Sequence, residues 1–122
     1  KLNVSDYIKV SPWIDREEAA RKLSEAAIGL LINSPDNNHS YLYTSPLKYF
    51  EYLLSELSII AVDFPSHRSL PFNEKIVFFR NGNKEGFINS LKMLNSSKPL
   101  SEEEKYTISL ESRAKNLIDF IY

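Results

Sequence analysis

Two short apolar runs constrain this chain more than any other feature. Ile28-Gly29-Leu30-Leu31-Ile32 and Ile59-Ile60-Ala61-Val62 are each continuous and of strand length. Neither alternates apolar with polar, so each reads as a strand buried on both faces, the pattern of a parallel sheet sandwiched between helices. Helical signals surround them. Asp15 caps a helix running to about Ala26, with Glu18 three residues on completing a capping-box pattern and Ile14 placed for a hydrophobic staple. Ser45-Pro46 opens another, a capping residue followed by proline at the first helical position, with Leu47, Phe50, Leu54 and Leu57 as its buried stripe. Shorter strands are predicted at Tyr7–Val10 and Ile76–Phe79. A helix after the Asn81-Gly82-Asn83 turn carries Phe87, Ile88, Leu91 and Leu94 inward, and a last one places Leu110, Ala114, Leu117, Ile118 and Ile121 on one face. Lys98–Glu104 reads as polar, loosely ordered chain. Strands alternating with helices imply an α/β fold, a Rossmann-like parallel sheet with helices on both faces, in a single domain over residues 1–122.

In such a fold, ligands bind beyond the carboxyl ends of the strands. Those ends lead into two polar segments, Asn33 to Thr44 and Asp63 to Pro71. The first is longer than an ordinary connection, which marks it as a functional loop.

Composition removes several classes of function. Net charge is −1, with the lysines and arginines spread along the chain, so no electrostatic footprint for nucleic acid exists. Three glycines, none at the required spacing, exclude a glycine-rich phosphate loop. Zero cysteines exclude disulfides and thiolate chemistry. No apolar run reaches the roughly 18 residues of a membrane span, and a cytoplasmic setting is the default. His39 and His67 lack a carboxylate at ligand spacing and read as surface-loop residues, so no metal or other cofactor is expected. Asp36 and Asp63 read first as turn residues, Arg68 and Arg80 as solvated, Trp13 as a packing residue, and Tyr49 and Tyr52 as partly buried flanks of their helix.

The segment Tyr43-Thr44-Ser45-Pro46-Leu47-Lys48-Tyr49-Phe50-Glu51-Tyr52 carries the chemistry. It places a helix N-terminus after a strand and a long loop, where free N–H groups and the positive end of the macrodipole suit an anion. Lys48 in the first turn opposes that dipole by roughly 0.3–1 kcal/mol. A bound diphosphate reverses the sign and engages both the amides and the ammonium. Glu51, one turn on, shares a face with Lys48, and its carboxylate can accept two hydrogen bonds from a ribose diol. Spacing alone favours a surface ion pair between Lys48 and Glu51, worth a few tenths of a kcal/mol.

Ser45-Pro46-Leu47-Lys48 with Phe50-Glu51-Tyr52, followed by Ile59-Ile60-Ala61-Val62-Asp63, resembles the "SPLKxxEYxAxGxPVVAxD" segment of family 4 retaining glycosyltransferases of the GT-B fold. Ala26-Ala27-Ile28-Gly29-Leu30 resembles the "ADIGL" strand entry of that family, and Ser109-Leu110-Glu111-Ser112-Arg113-Ala114 the start of its terminal helix. Together these span about residues 4–121 in the family's order and spacing.

The resemblance implies the nucleotide-sugar-binding domain of a two-domain enzyme. Glu51 would hold the nucleotide ribose; Pro46, Leu47 and Lys48 would contact the diphosphate; and Thr44 and Ser45 would lie near the phosphate or donor sugar. Tyr43 occupies the position of a first glutamate that faces the donor sugar in many relatives. Other departures are Ala27 for an aspartate, Glu56 for a glycine, Ser58 for a proline and Leu110 for a tryptophan. The partners implied are a nucleoside diphosphate sugar donor and a glycan or lipid-linked acceptor, the latter bound by a separate N-terminal domain and allowing peripheral membrane association of the longer protein. On this resemblance the chain is a fragment lacking that acceptor domain and a first strand. Two other readings stay open: a receiver-like α/β interaction module, and a family member without catalysis.

Overall fold

The computed structural model describes residues 4–36, 38–43, 47–94 and 99–121. Three strands, β1 (Ile28–Leu31), β2 (Ser58–Val62) and β3 (Ile76–Phe79), form one sheet in the order β1-β2-β3. Both pairings are parallel, with Leu31 opposite Ala61, and Ala61 opposite Phe78. The helices are α1 (Arg16–Glu25), α2 (Leu47–Leu54), α3 (Pro65–Arg68), α4 (Lys84–Met93), α5 (Glu102–Thr107) and α6 (Leu110–Ile121). The expected α/β class and parallel sheet are present.

Local chemistry accounts for the helix starts. The Asp15 carboxylate accepts from the Glu18 amide at 2.8 Å. The return half of a capping box is missing, because Arg21 takes the Glu18 carboxylate instead. Asn83 caps α4 through the Gly86 amide. A complete capping box joins Ser101 and Glu104, which turns the segment expected to be loosely ordered into the start of α5.

Register assigns the faces. Gly29, Leu31, Ile59, Ala61, Ile76 and Phe78 point to one side, where Tyr49 and Leu53 of α2 complete the core. Tyr49 and Leu53, spaced by four, lead the buried side in place of half the expected stripe: Leu47 is 80% exposed and Leu54 is also exposed, whereas Leu57 is buried and Phe50 packs partly buried against the core as foreseen. The helix is apolar on several sides, so periodicity cannot choose between stripes. The sheet chooses, and the Tyr49 hydroxyl can be buried because it donates to the Pro71 carbonyl.

The opposite sheet face is half covered. Phe87 of α4 meets Phe79 edge to face at 5.2 Å, and Ile60 and Val62 are sealed at 0% and 1% exposure. On the same face Ile28, Leu30 and Ile32 remain 37%, 40% and 60% exposed. β1 is thus not buried on both sides as its composition implies. Ile88 and Leu91 of α4, and Leu110, Leu117 and Ile118 of α6, expected to face inward, are likewise exposed. Residues 7–10 form no strand; a 3₁₀ turn at Ser5–Tyr7 leads into extended chain, and Trp13, expected to pack, is 89% exposed.

α2 ends in a Schellman motif. The Leu57 amide donates to the Tyr52 carbonyl and the Glu56 amide to the Leu53 carbonyl, with Glu56 at φ 60°. A side chain in this left-handed conformation costs roughly 1–2 kcal/mol, and the glutamate charge also meets the negative end of the helix dipole. Glu56→Gly removes both at the expense of a more flexible unfolded chain. The expected net gain is about 0.5–1 kcal/mol, read as a higher midpoint in urea denaturation. A lower midpoint would refute this account of the helix end.

Candidate functional site

Because β1 and β2 are parallel, the helix joining them must begin at the carboxyl end of β1. The first turn of α2, Leu47 and Lys48, therefore lies at the edge where the fold places ligands. Thr44, Ser45 and Pro46 lie outside the described residues. Tyr43 closes a π-helical turn over His39–Tyr43 and is exposed, as is Leu47.

Lys48 and Glu51 are both exposed, and they share a hollow of about 280 Å³ with Tyr52. Its other wall is Ala19, Lys22 and Leu23 of α1 with Ile14, two residues ahead of that helix. An adjoining hollow of about 210 Å³ continues along the two helices past Glu51, with Arg16 on α1 and Ser55 beyond α2. The side chains singled out in α2 thus open toward α1. Lys22 joins them across the groove. No pattern in the sequence marks Lys22, because only the packing of α1 beside α2 brings it there.

The charges in this groove do not neutralise one another. Among the described residues Lys48 and Glu51 form no ion pair, so the surface pair allowed by their spacing is absent. Beneath them Tyr52 lies half-buried over Gly29. Burial pushes its phenol up, and the neighbouring Glu51 charge pushes it further in the same direction.

A second cluster stands at the carboxyl end of β2. Arg68 donates to both oxygens of Asp63, at 2.7 and 2.9 Å, and its guanidinium lies 3.8 Å over the Phe78 ring. Arg68 holds the Asp63 carboxyl below the usual carboxylate range. Asp63 is therefore a structural ion-pair partner, and Arg68 is engaged although it is half exposed. His67, expected on the surface, is fully buried. Its ring stacks on Phe64, its Nδ1 lies 2.8 Å from the Val62 carbonyl, and its Nε2 has no partner among the described residues. The one-turn helix α3 folds it under the segment His39–Tyr43, whose Tyr41 meets Phe64 edge to face at 4.9 Å. His39 is exposed, and Asp36 accepts from Ser34 within a turn, both as the sequence implies.

Among the described residues no helix is long and apolar enough to cross a membrane. No family model, curated protein or solved structure matches this chain.

Proposed function

We propose that this chain is the nucleotide-sugar-binding part of a retaining GT-B glycosyltransferase, acting in the cytoplasm on a nucleoside diphosphate sugar. The observation that carries the reading is the Ser45–Glu51 segment itself. Its helix starts at the carboxyl end of a parallel strand, with Lys48 and Glu51 facing one hollow and without an ion-pair partner among the described residues. In this reading the first turn of α2 and the Lys48 ammonium stabilise the negative charge that grows on the departing diphosphate, electrostatic catalysis by groups already in place. Glu51 anchors the ribose. The acceptor, a glycan or lipid-linked glycan, sits on a partner domain.

The bare row Ile28, Leu30 and Ile32 and the uncovered apolar residues of α6 support a larger assembly around this unit, since purely parallel sheets are ordinarily covered on both faces. A receiver-like role is disfavoured because the aspartate at the end of β2 is already committed to Arg68.

Calorimetric titration with UDP, GDP and ADP and with the matching nucleosides tests the reading. A diphosphate is expected to bind more tightly than its nucleoside, and Lys48→Ala to remove much of that difference while leaving the nucleoside alone. The isolated chain is expected to turn over no nucleotide sugar. The reading fails if no diphosphate binds, or if Lys48→Ala binds the diphosphate as wild type does.

A further inference from the structure

We infer that Lys22 of α1 is a second phosphate-binding cation of this site, paired across the groove with Lys48, and that the two ammoniums together select a diphosphate over a monophosphate. The inference rests on the reading just given and adds a residue that no part of the α2 motif contains.

Three observations carry it. Lys22 and Lys48 line the same hollow of about 280 Å³ from opposite helices, with Glu51 the one carboxylate among its described lining residues. Two ammoniums facing one carboxylate leave a surplus positive charge in a cleft, an arrangement that attracts an anion. Neither cation is well satisfied by the protein. Lys48 has no ion-pair partner among the described residues, and Lys22 reaches only Glu18, at 3.7 Å. Glu18 is also held by Arg21 through two hydrogen bonds of 2.9 and 2.7 Å, and Arg21 is shared with Glu25, so Lys22 makes only the longest contact of that cluster. Beside Lys22 the α1 wall of the hollow is apolar (Ile14, Ala19 and Leu23), which limits competing hydrogen bonds from the protein. Lysine also suits the task geometrically: a flexible four-carbon stem carries a point charge that can swing to a phosphate oxygen.

The proposed division of labour is one ammonium for each phosphate. A monophosphate, held at the start of α2, engages Lys48 alone. The added phosphate of a diphosphate reaches Lys22. Discrimination between the two ligands, and not overall affinity, is therefore the property Lys22 controls.

The test is calorimetric titration of the chain with UDP, GDP and ADP and with UMP, GMP and AMP, for wild type, Lys22→Ala, Lys22→Arg and Lys48→Ala. For whichever base binds, Lys22→Ala should lower the preference for diphosphate over monophosphate by roughly fivefold, the scale of one solvent-screened charge contact. Lys22→Arg should retain most of that preference. Thermal denaturation should show Lys22→Ala as stable as wild type, because the Glu18 contact it loses is exposed. If Lys22→Ala weakens both ligands equally, or leaves the ratio unchanged while Lys48→Ala weakens both, the inference is overturned and the α2 site stands. If Lys48→Ala also has no effect, or no nucleotide binds, the site reading itself fails and takes the inference with it.

Discussion

Glu51→Ala should raise the dissociation constant for a nucleoside diphosphate by roughly tenfold to a hundredfold. Hydrogen bonds to a charged group are worth about 1.5–3 kcal/mol each, and every 1.4 kcal/mol is about a factor of ten in affinity. Glu51 is available for this role because no described cation neutralises it. The loss should be carried by the nucleoside itself, since the proposed contact is to the ribose; Lys48→Ala differs by sparing the nucleoside. Glu56→Ala is the internal control. Glu56 stands at the far end of the same helix, in the Schellman turn, and does not line the hollow. Its replacement should leave affinity unchanged. Titration of the three variants with a diphosphate and its nucleoside decides the matter. If Glu51→Ala binds like wild type, the resemblance describes ancestry and fold without a working ribose contact.

Gly29→Ala should destabilise the chain by about 2 kcal/mol, although alanine is ordinarily no worse than glycine in a strand. A Cβ built at Gly29 would lie 2.3, 2.5 and 2.8 Å from three carbons of the Tyr52 ring. Overpacking of this kind costs about 1–3 kcal/mol, against which the stiffer unfolded chain returns only about 0.4–1 kcal/mol. The clash wins because Tyr52 has little room to yield. Its ring packs on the core, and its own carbonyl accepts the Leu57 amide in the Schellman turn. In the Tyr52→Ala background the same substitution should be close to neutral. That non-additivity, in the range of about 0.5–3 kcal/mol expected for touching residues, separates the clash from a general weakening of β1. Urea denaturation of the four proteins measures it. Equal midpoints for wild type and Gly29→Ala would dispose of the close approach. The test also bears on the site, since Tyr52 shares the hollow with Lys48 and Glu51.

What could be read from the sequence was the part encoded by short-range chemistry. The strands at 58–62 and 76–79 follow from unbroken apolar runs of the right length. The start of α1 follows from one carboxylate ahead of the first helical turn, and the parallel sheet from strands alternating with helices. The capping box at Ser101 and Glu104 was equally legible, yet the surrounding polar composition masked it.

The Tyr7–Val10 segment shows where short-range chemistry stops. Its composition suits a strand, but a strand exists only through hydrogen bonds to a neighbour, and among the described residues it has none. The same holds for Trp13 and for the apolar side of α6: hydrophobicity states a preference for burial, and only a packed partner can meet it. On α2 several apolar faces were available, and the sheet selected the one bearing Tyr49 and Leu53.

The candidate site divides along the same line. Lys48 and Glu51 lie one helical turn apart, so their common face follows from the 3.6-residue period of α2 alone. The facing wall of α1 and the arrival of Lys22 were decided by where α1 lies relative to α2. His67 is the plainest case. Two residues after a proline in a polar loop it carries every sign of a surface residue, and a single helical turn after β2 folds it against Phe64, out of water. Sequence determines which groups a segment can offer; contacts between segments distant along the chain determine which of those groups are buried, paired or left facing a ligand.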